Sequence, residues 1–380
     1  MKILILGGTG AMGISLVQIL RQNKHNEIFV TSRKKYDDIE NVHYLQGNAQ
    51  DDNWLMSILK INHWDIIVDF MTYSTKKFKD RYSHMLNSTG QYIFFSSSRV
   101  YADAHGEKIT EKTIRLLEST TDHVYLKTDE YALAKAREEN LLLSAKNKNW
   151  TIIRPYITYN TTRLQLGTME KEAWLYRALH GRTVVFSEDI ANTLTTMTYG
   201  YDVAQGIVSI MGENNALGRI FHIMQSDSMT WREVAVIYQK VFKEVTNKNL
   251  KIKYLSDTKE FSEVFSNYWQ VYFDRLYPRV FDNSKILQFM GESYTWISME
   301  EGITSCLSKF ILEKHAFRDI NWIAEGWMDK KTGERTPFIE IPTIKQRVAY
   351  ILVRYLPYNI AILIINFCRK FKKTVEVLFS

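Results

Sequence analysis

The amino-terminal stretch from Lys2 to Gly13 restricts the possible folds of this chain more than any other. It reads KILILGGTGAMG, so an apolar run of strand length leads directly into glycines at positions 7, 10 and 13. In a strand–turn–helix unit of this kind, the first glycine makes the turn and the second lets backbone N–H groups approach a pyrophosphate. The third lets the helix pack closely on the strand. The pattern therefore predicts a dinucleotide-binding unit rather than an ordinary glycine-rich turn.

Further apolar runs alternate with helical segments, and the predicted strands cover residues 27–33, 42–45, 65–70 and 91–96. This alternation is typical of a parallel sheet covered by helices on both faces. A chain of 380 residues is also longer than the roughly 250–300 residues that one hydrophobic core usually serves. We therefore expect an α/β fold with a Rossmann-type doubly wound sheet in residues 1–158, to which later segments can return. A smaller substrate-binding lobe at 159–310 and a helical C-terminal extension at 311–380 are predicted to follow.

The turn after the second predicted strand indicates which nicotinamide cofactor would bind. Ser32, Arg33 and Lys34 stand where dinucleotide folds meet the adenosine ribose. An acid at that place favours a free 2′-hydroxyl, whereas an arginine accommodates a 2′-phosphate. The sequence thus favours NADP(H) over NAD(H), with a merely solvated basic turn as the alternative.

Two later segments carry candidate catalytic residues. The predicted strand at 91–96 leads into the serines at positions 96, 97 and 98. A later helical segment places Tyr131 and Lys135 four residues apart on one face. A lysine near a phenol favours the phenolate and lowers the tyrosine pKa, so that the tyrosine can exchange a proton with a sugar hydroxyl during hydride transfer. A serine hydroxyl at the strand end can polarise the same oxygen.

Taken together, these motifs resemble the extended short-chain dehydrogenase/reductase family, in particular its nucleotide-sugar epimerases, dehydratases and reductases. The resemblance covers about residues 1–310. It rests on the glycine loop, the Ser-Ser-Ser-x-Val-Tyr segment at 96–101, the Tyr-x-x-x-Lys pair and the segments at 152–156, 202–204, 280–285 and 299–302.

The resemblance implies a role for individual residues. Tyr131 matches the catalytic acid/base, Lys135 its partner and holder of the nicotinamide ribose, and Ser97 the third member of the triad. Asn48 stands where the family usually has an aspartate near adenine. The implied cofactor site comprises Gly7, Thr9, Gly10, Met12, Gly13, Ser32, Arg33, Asn48, Ala49, Phe70 and Pro155, together with Tyr131 and Lys135.

Departures from the family pattern restrict the reaction. Dehydratases have an acid pair after the catalytic threonine, and uronic-acid decarboxylases a glutamate, but this chain has Ser98 and Arg99 there. The arginine that often grips the nucleotide diphosphate is absent before Asp202, so Arg163, Arg182 or Arg275 would take its place, or the substrate is not a standard nucleotide sugar. The candidate substrate residues are Ser98, Arg99, Tyr156, Arg163, Arg182 and Arg275.

Three functions fit this set of residues. The first is an epimerase or oxidoreductase that transfers hydride at a ring carbon of a nucleotide-activated sugar. The second is an NADPH-dependent keto-sugar reductase, and the third is a catalytically idle protein that binds the cofactor for structure or regulation. The resemblance further implies a homodimer and a role in polysaccharide biosynthesis.

Charge and cysteine content bear on location and partners. The segment 344–380 holds seven basic residues and one acid, whereas the remainder is nearly neutral, so a nucleic-acid-binding function loses support. Two distant cysteines and a strand-like N-terminus predict a cytoplasmic protein. The uncharged stretch 355–368 contains Pro357 and is too short to span a bilayer, so 344–380 is predicted either to contact an anionic membrane surface or to pack as a core helix.

Overall fold

The structure is a computed structural model that describes residues 1–265 and 268–378, with the side chains of Ala11 and of 369–378 excepted. The strands in this part of the chain are β1 Lys2–Leu6, β2 Glu27–Ser32, β3 Val42–Gln46, β4 Trp64–Asp69, β5 Thr89–Phe95, β6 Trp150–Ile153, β7 Ile157–Tyr159, β8 Gln165–Leu166, β9 Met169–Glu170, β10 Val184–Ser187, β11 Leu194–Thr195, β12 Met197–Tyr199, β13 Arg219–Phe221, β14 Met229–Thr230 and β15 Ile252–Leu255.

The α-helices of the same residues are α1 Ala11–Leu20, α2 Asp52–Leu59, α3 Thr75–Asn87, α4 Leu116–Ser119, α5 His123–Leu126, α6 Tyr131–Ser144, α7 Lys171–Leu179, α8 Glu188–Ala191, α9 Gly200–Ile210, α10 Trp231–Thr246, α11 Thr258–Phe265, α12 Tyr268–Gln270, α13 Ser284–Met290, α14 Met299–Leu312, α15 Trp322–Thr332, α16 Ile344–Tyr355 and α17 Tyr358–Leu378. Short 3₁₀ turns at Ser98–Val100, Asn214–Ala216 and Phe338–Glu340 and a π-turn at Val271–Arg275 complete the elements.

The chain divides into two compact units, each made of several separate segments. The first unit contains residues 1–163, 194–229 and 272–306, and the second contains 164–193, 230–271 and 307–380. The prediction allowed later segments to return to the first unit but did not name them. Segments 194–229 and 272–306, predicted for the lobe, belong with the sheet, and the extension from 307 onward belongs to the second unit rather than forming a separate tail.

A seven-stranded parallel sheet forms the centre of the first unit, in the strand order β13-β6-β5-β4-β1-β2-β3. One face packs apolar side chains of α1, α9 and α13 against residues such as Ile5, Val30 and Val68. The opposite face packs α2, α3 and α6 against residues such as Leu4, Ile67 and Phe94. Helices cover both faces of the sheet, whose central strands are buried, and the predicted doubly wound α/β fold is confirmed.

The second unit is tied together by charged side chains that are themselves buried. Arg177 on α7 is fully buried and pairs with Glu325 at 3.0 Å and with Asp329 at 2.8 Å, both on α15. The Asp329 carboxylate also accepts a hydrogen bond from the Tyr350 hydroxyl of α16 at 2.7 Å. Residues of the predicted extension therefore form part of the core of this unit. Among the described residues, no helix is long and apolar enough to cross a membrane.

Candidate active site

The glycine loop joins β1 to α1 and leaves the start of the helix open to a ligand. Gly7 has a φ of 76°, which favours glycine, and its N–H donates to the Thr31 hydroxyl at 3.1 Å. No side chain caps α1 at Gly10, and its first turn contains no acid. A Cβ at Gly10 would meet only the Gly7 carbonyl oxygen, at 3.6 Å. Open N–H groups at a helix N-terminus suit a phosphate, so the loop fits the cofactor's pyrophosphate.

Gly13 serves the packing of α1 rather than the ligand. A Cβ at this position would lie 2.4 Å from the carbonyl oxygen of Gly8. Thr9 is exposed, and Met12 packs against the sheet core. The loop thus combines one glycine needed for close packing with one that faces open space.

The other residues predicted to hold the cofactor follow neighbouring strands. Ser32 ends β2, Asn48 and Ala49 follow β3, and Phe70 follows β4, so all lie at the carboxyl edge beside the glycine loop. The buried Ser32 hydroxyl accepts the N–H of Lys34 at 3.1 Å, whereas Arg33 is exposed. Their positions suit a dinucleotide lying across the strand ends, and their roles stay predictions.

The three serines after β5 have different surroundings. The Ser96 hydroxyl donates to Glu139 at 2.5 Å, and the fully buried Ser98 hydroxyl donates to the Arg154 carbonyl oxygen at 2.8 Å. The Ser97 hydroxyl oxygen accepts the N–H of Arg99 at 3.2 Å, so its own proton is available for another acceptor. This difference supports Ser97 as the catalytic candidate. It argues against the predicted substrate role of Ser98, whose hydroxyl is used by the backbone.

Helix α6 begins at Tyr131 and carries Lys135 one turn later. The Lys135 side chain is 2% exposed, and its ammonium nitrogen lies 3.0 Å from a carboxylate oxygen of Glu138 and 3.5 Å from the Met71 carbonyl oxygen. Burial raises the pKa of Glu138 to about 7, although the nearby Lys135 ammonium acts in the opposite direction. Lys135 is thus held beside a carboxyl group that titrates near neutral pH.

The start of α6 is fixed by a second glutamate, Glu130. Its carboxylate accepts the backbone N–H of Ala132 at 2.9 Å and a hydrogen bond from the Arg99 guanidinium at 2.6 Å. The guanidinium carbon of Arg99 lies 5.2 Å from the centre of the Tyr131 ring. Arg99, a candidate substrate residue in the sequence, therefore lies over the ring of the candidate acid/base, Tyr131.

Glu139 connects α6 to the ends of β5 and β6. One oxygen of its buried carboxylate accepts from Ser96 at 2.5 Å, and the two oxygens accept from Arg154 at 2.8 and 2.6 Å. Arg115 donates to the same carboxylate at 2.8 Å. Although burial acts to raise the pKa of Glu139, these arginines and the serine hold it below its usual value. The helix carrying Tyr131 and Lys135 is therefore attached at the residue preceding Ser97.

A cluster of arginines around Asp274 lies close to Tyr156. Asp274 pairs with Arg275 and, at 3.0 Å, with Arg279, and Arg99 approaches it at 3.8 Å. Arg275 also donates to the Tyr156 hydroxyl at 3.2 Å. Burial raises the pKa of Tyr156 to about 12. Pro155, next to Tyr156, is buried, and its carbonyl oxygen accepts the N–H of Ser98 at 2.9 Å.

The three arginines considered for the diphosphate occupy different surroundings. Arg275 belongs to the cluster just described, and Arg163 is half-buried at the end of a turn with Asn160. Arg182 lies in the second unit, where it donates to both oxygens of Glu340 at 3.0 and 2.8 Å and is 7% exposed. The guanidinium groups of Arg182 and Arg275 are thus both held in buried ion pairs, and the substrate roles of the three arginines stay predictions.

Sequence reasoning missed the acidic residues that support this site: Glu138, Glu139 and Asp274, together with the contact of Glu130 to Arg99. The helical period offered a signal for two of them, since Glu138 and Glu139 lie three and four residues after Lys135 and so share its face. Two carboxylates on the buried face of a helix need partners, and these partners cannot be read from the sequence motifs. Asp274 had no such periodic signal: two of its partners, Arg275 and Arg279, lie close to it in sequence, but the third, Arg99, is distant.

Residues 3–223, which contain nearly all of the central sheet, match the model of the NAD dependent epimerase/dehydratase family. The chain belongs to this family. The resemblance to extended short-chain dehydrogenases/reductases is thereby confirmed. The chloroplast stem-loop binding protein of 41 kDa b from Arabidopsis thaliana is 24% identical over 249 residues, and the match spans 62% of this chain and 61% of that protein's length.

Two solved structures share the fold of this chain at low sequence identity. The dTDP-glucose 4,6-dehydratase from Bacillus anthracis, in complex with NAD, has a TM-score of 0.63 and 16% identity, covering 83% of this chain and 97% of that one. The UDP-glucuronic acid 4-epimerase from Bacillus cereus, in complex with UDP-glucuronic acid and NAD, has a TM-score of 0.62 and 14% identity, covering 83% and 100%. At this level of identity, the similarity to these two structures shows the fold alone.

Proposed function

We propose that the protein catalyses hydride transfer at a ring carbon of a nucleotide-activated sugar, as an NAD(P)-dependent epimerase or oxidoreductase. The observation that carries this proposal is the attachment of α6 to the end of β5. Glu139 binds Ser96, so the helix bearing Tyr131 and Lys135 is fixed beside Ser97. A family assignment that includes epimerases supports the same chemistry.

Tyr131 would act as the acid/base. Its phenolate takes the proton of a sugar hydroxyl as that carbon is oxidised and returns the proton on reduction. Lys135 would hold the nicotinamide ribose, and Ser97 would donate a hydrogen bond to the reacting oxygen. The bound nicotinamide supplies the acceptor and donor of hydride.

Cofactor binding would use the glycine loop and the strand ends described above. The N–H groups at the start of α1 bind the pyrophosphate, and Ser32 and Arg33 face the adenosine ribose. The solved neighbours named above were crystallised with NAD, which favours a nicotinamide cofactor in general. A preference for NADP(H) rests on the basic turn Ser32-Arg33-Lys34.

The substrate class is supported by chemistry and by likeness. The Bacillus cereus neighbour was solved with UDP-glucuronic acid, and the cationic cluster of Arg99, Arg275 and Arg279 suits an anionic diphosphate. Arg275 stays the candidate for gripping it. The cluster also contains the carboxylates of Asp274 and Glu130, so its net positive charge is small. Binding of a diphosphate would therefore depend on the positions of the guanidinium groups.

An NADPH-dependent keto-sugar reductase is the second candidate. It is favoured by the basic turn Ser32-Arg33-Lys34, because an arginine here accommodates a 2′-phosphate. An epimerase keeps its cofactor bound between cycles, whereas a reductase releases it. Denaturing the freshly purified protein and identifying any released nicotinamide by chromatography separates the two. Near-stoichiometric NAD supports the epimerase and contradicts the interpretation of Arg33; an empty site that binds NADPH supports the reductase.

Replacing the acid/base tests the enzyme itself. We expect Tyr131→Phe to lower kcat on UDP-glucose or UDP-glucuronic acid by about 10²–10⁴-fold, because the proton acceptor is lost. Cofactor affinity should change little. Tyr82→Phe, at a half-buried position on α3, is the control. Full activity in Tyr131→Phe would contradict the catalytic assignment, and an absence of binding to either cofactor would contradict the proposed enzyme function itself.

A further inference from the structure

Helices α16 and α17 expose apolar side chains in unusual number. On α17, Ile360, Leu363 and Phe367 are 45%, 71% and 68% exposed, and they recur at helical spacing on one face. Ala361 and Ile365 on the same helix are buried. The helix is therefore apolar on its inner face and on an outer face too, and an apolar outer face needs a covering partner.

The apolar surface continues on α16. Ile344, Val348 and Tyr355 are 76%, 49% and 62% exposed. A groove of about 520 Å³ lies between α16 and the segment 320–323. Apolar and aromatic side chains form much of its wall: Ile320, Trp322, Ile323, Ile344, Val348, Leu352 and Ile365.

Residues 341–375, which include α16 and most of α17, carry charge of a single sign. From residue 341 to residue 375 the sequence contains no aspartate or glutamate, but it contains Lys345, Arg347, Arg354, Arg369, Lys370, Lys372 and Lys373. The side chains of the last four lie outside the described residues. A two-fold contact with a second copy would bring like charges together, whereas an anionic surface would attract them. Apolar side chains beside basic residues suit the interface of an anionic bilayer.

We propose that α16 and α17 dock the protein on the surface of an anionic membrane. Ile360, Leu363 and Phe367 enter the headgroup region, and the basic residues of 345–373 attract acidic lipids. The protein lies on the bilayer and does not span it. Docking of this kind is independent of the proposed catalytic function, because neither helix contributes a residue to the site.

The test is flotation of the full-length protein with lipid vesicles. We expect binding to phosphatidylcholine vesicles containing about 30% phosphatidylglycerol and little binding to phosphatidylcholine alone. Salt at about 0.5 M should weaken the binding, because it screens the basic residues. Equal binding to both vesicle types, or none to the anionic ones, would overturn the proposal.

Paired variants distinguish binding through this surface from non-specific hydrophobic adsorption to vesicles. Leu363→Glu with Phe367→Glu should lower vesicle partitioning by at least about tenfold. Ile61→Glu with Val236→Glu, at positions that are each 56% exposed elsewhere, should leave it unchanged. Light scattering on the same samples reports the oligomeric state. If the Leu363/Phe367 variant becomes monomeric while the wild type does not bind vesicles, the surface covers a second copy and membrane docking is wrong.

Discussion

The ammonium group of Lys135 interacts with two buried acidic side chains. Glu138 is fully buried and lies 3.0 Å from it, and Asp69 is fully buried with its carboxylate accepting from the Tyr92 hydroxyl at 2.7 Å. Burial raises the pKa of both carboxyl groups, that of Glu138 to about 7. One cation thus faces two acids whose burial disfavours ionisation, and Lys135 is the only one of these three residues that belongs to a recognisable sequence motif.

Glu138→Gln should change how stability depends on pH. The folded-state pKa of Glu138 lies above its ordinary value, so wild-type stability decreases as pH rises from about 4.5 to 7, while the neutral glutamine lacks this loss. We expect similar Tm values near pH 5, and near pH 8 a variant that is more stable by about 1–3 kcal/mol. Thermal denaturation across this range measures the effect, with the exposed Glu107→Gln as control. A difference that stays constant with pH would contradict it.

At the scale of the element, the strands were easier to predict from the sequence than the contacts between helices and strands. The runs 27–33 and 91–96 became Glu27–Ser32 and Thr89–Phe95, because a strand buried on both faces has an apolar run of its own length. The three-residue strand Arg219–Phe221 at the sheet edge was not predicted, since so short a run has no distinct pattern. The spacing of Tyr131 and Lys135 indicated their common face, but the Glu139–Arg154 pair depends on how α6 meets β6.

The glycine loop allows a test that separates packing from binding. Gly13→Ala should destabilise the protein by about 1–3 kcal/mol, because the added Cβ would overlap the Gly8 backbone and displace α1. Gly10→Ala has room, so its stability should stay within about 0.5 kcal/mol of wild type. The Gly10→Ala substitution should still weaken cofactor binding about tenfold, because the added methyl group keeps the pyrophosphate away from the N–H groups of α1. Urea denaturation and calorimetric titration measure the two effects; equal stability of both variants would refute the distinction.

The attachment of α6 can be tested through Glu139. Glu139→Gln leaves the buried guanidinium of Arg154 without its carboxylate, so we expect a loss of about 3–5 kcal/mol of stability. The Glu139→Gln protein that still folds should show a lower kcat, because Tyr131 and Lys135 are no longer held in place beside Ser97. Glu118→Gln, at an exposed partner of Arg115, should cost less than about 1 kcal/mol. A Glu139 variant as stable as this control would disprove the anchoring role.

At the scale of the whole molecule, the chain passes from one unit to the other five times, after residues 163, 193, 229, 271 and 306. Local patterns could not reveal this, because each segment of the second unit is completed only by others far away in sequence. The buried pair of Arg177 with Glu325 shows the point, since 148 residues separate the two. The prediction allowed later segments to return to the sheet, but local patterns did not show which ones.

Truncation tests whether the C-terminal residues are structural. Removing residues 344–380 deletes Tyr350, which is 1% exposed and bonds Asp329 and Thr336, so the second unit should unfold at a clearly lower temperature. Removing only 369–380 should leave Tm within a few degrees of wild type. Differential scanning calorimetry of the three proteins measures this. An unchanged Tm in the longer deletion would show that α16 contributes little to that unit.

The repeated passage of the chain between units also bears on how such a protein can be recombined. No single cut in the gene separates the two units, because each is encoded in three pieces. A chimera that takes the second unit from another protein would need five joints, and a crossover at one point would leave both units with mixed parentage. Variation in this lineage is therefore expected to proceed by substitution within segments rather than by exchange of a whole module.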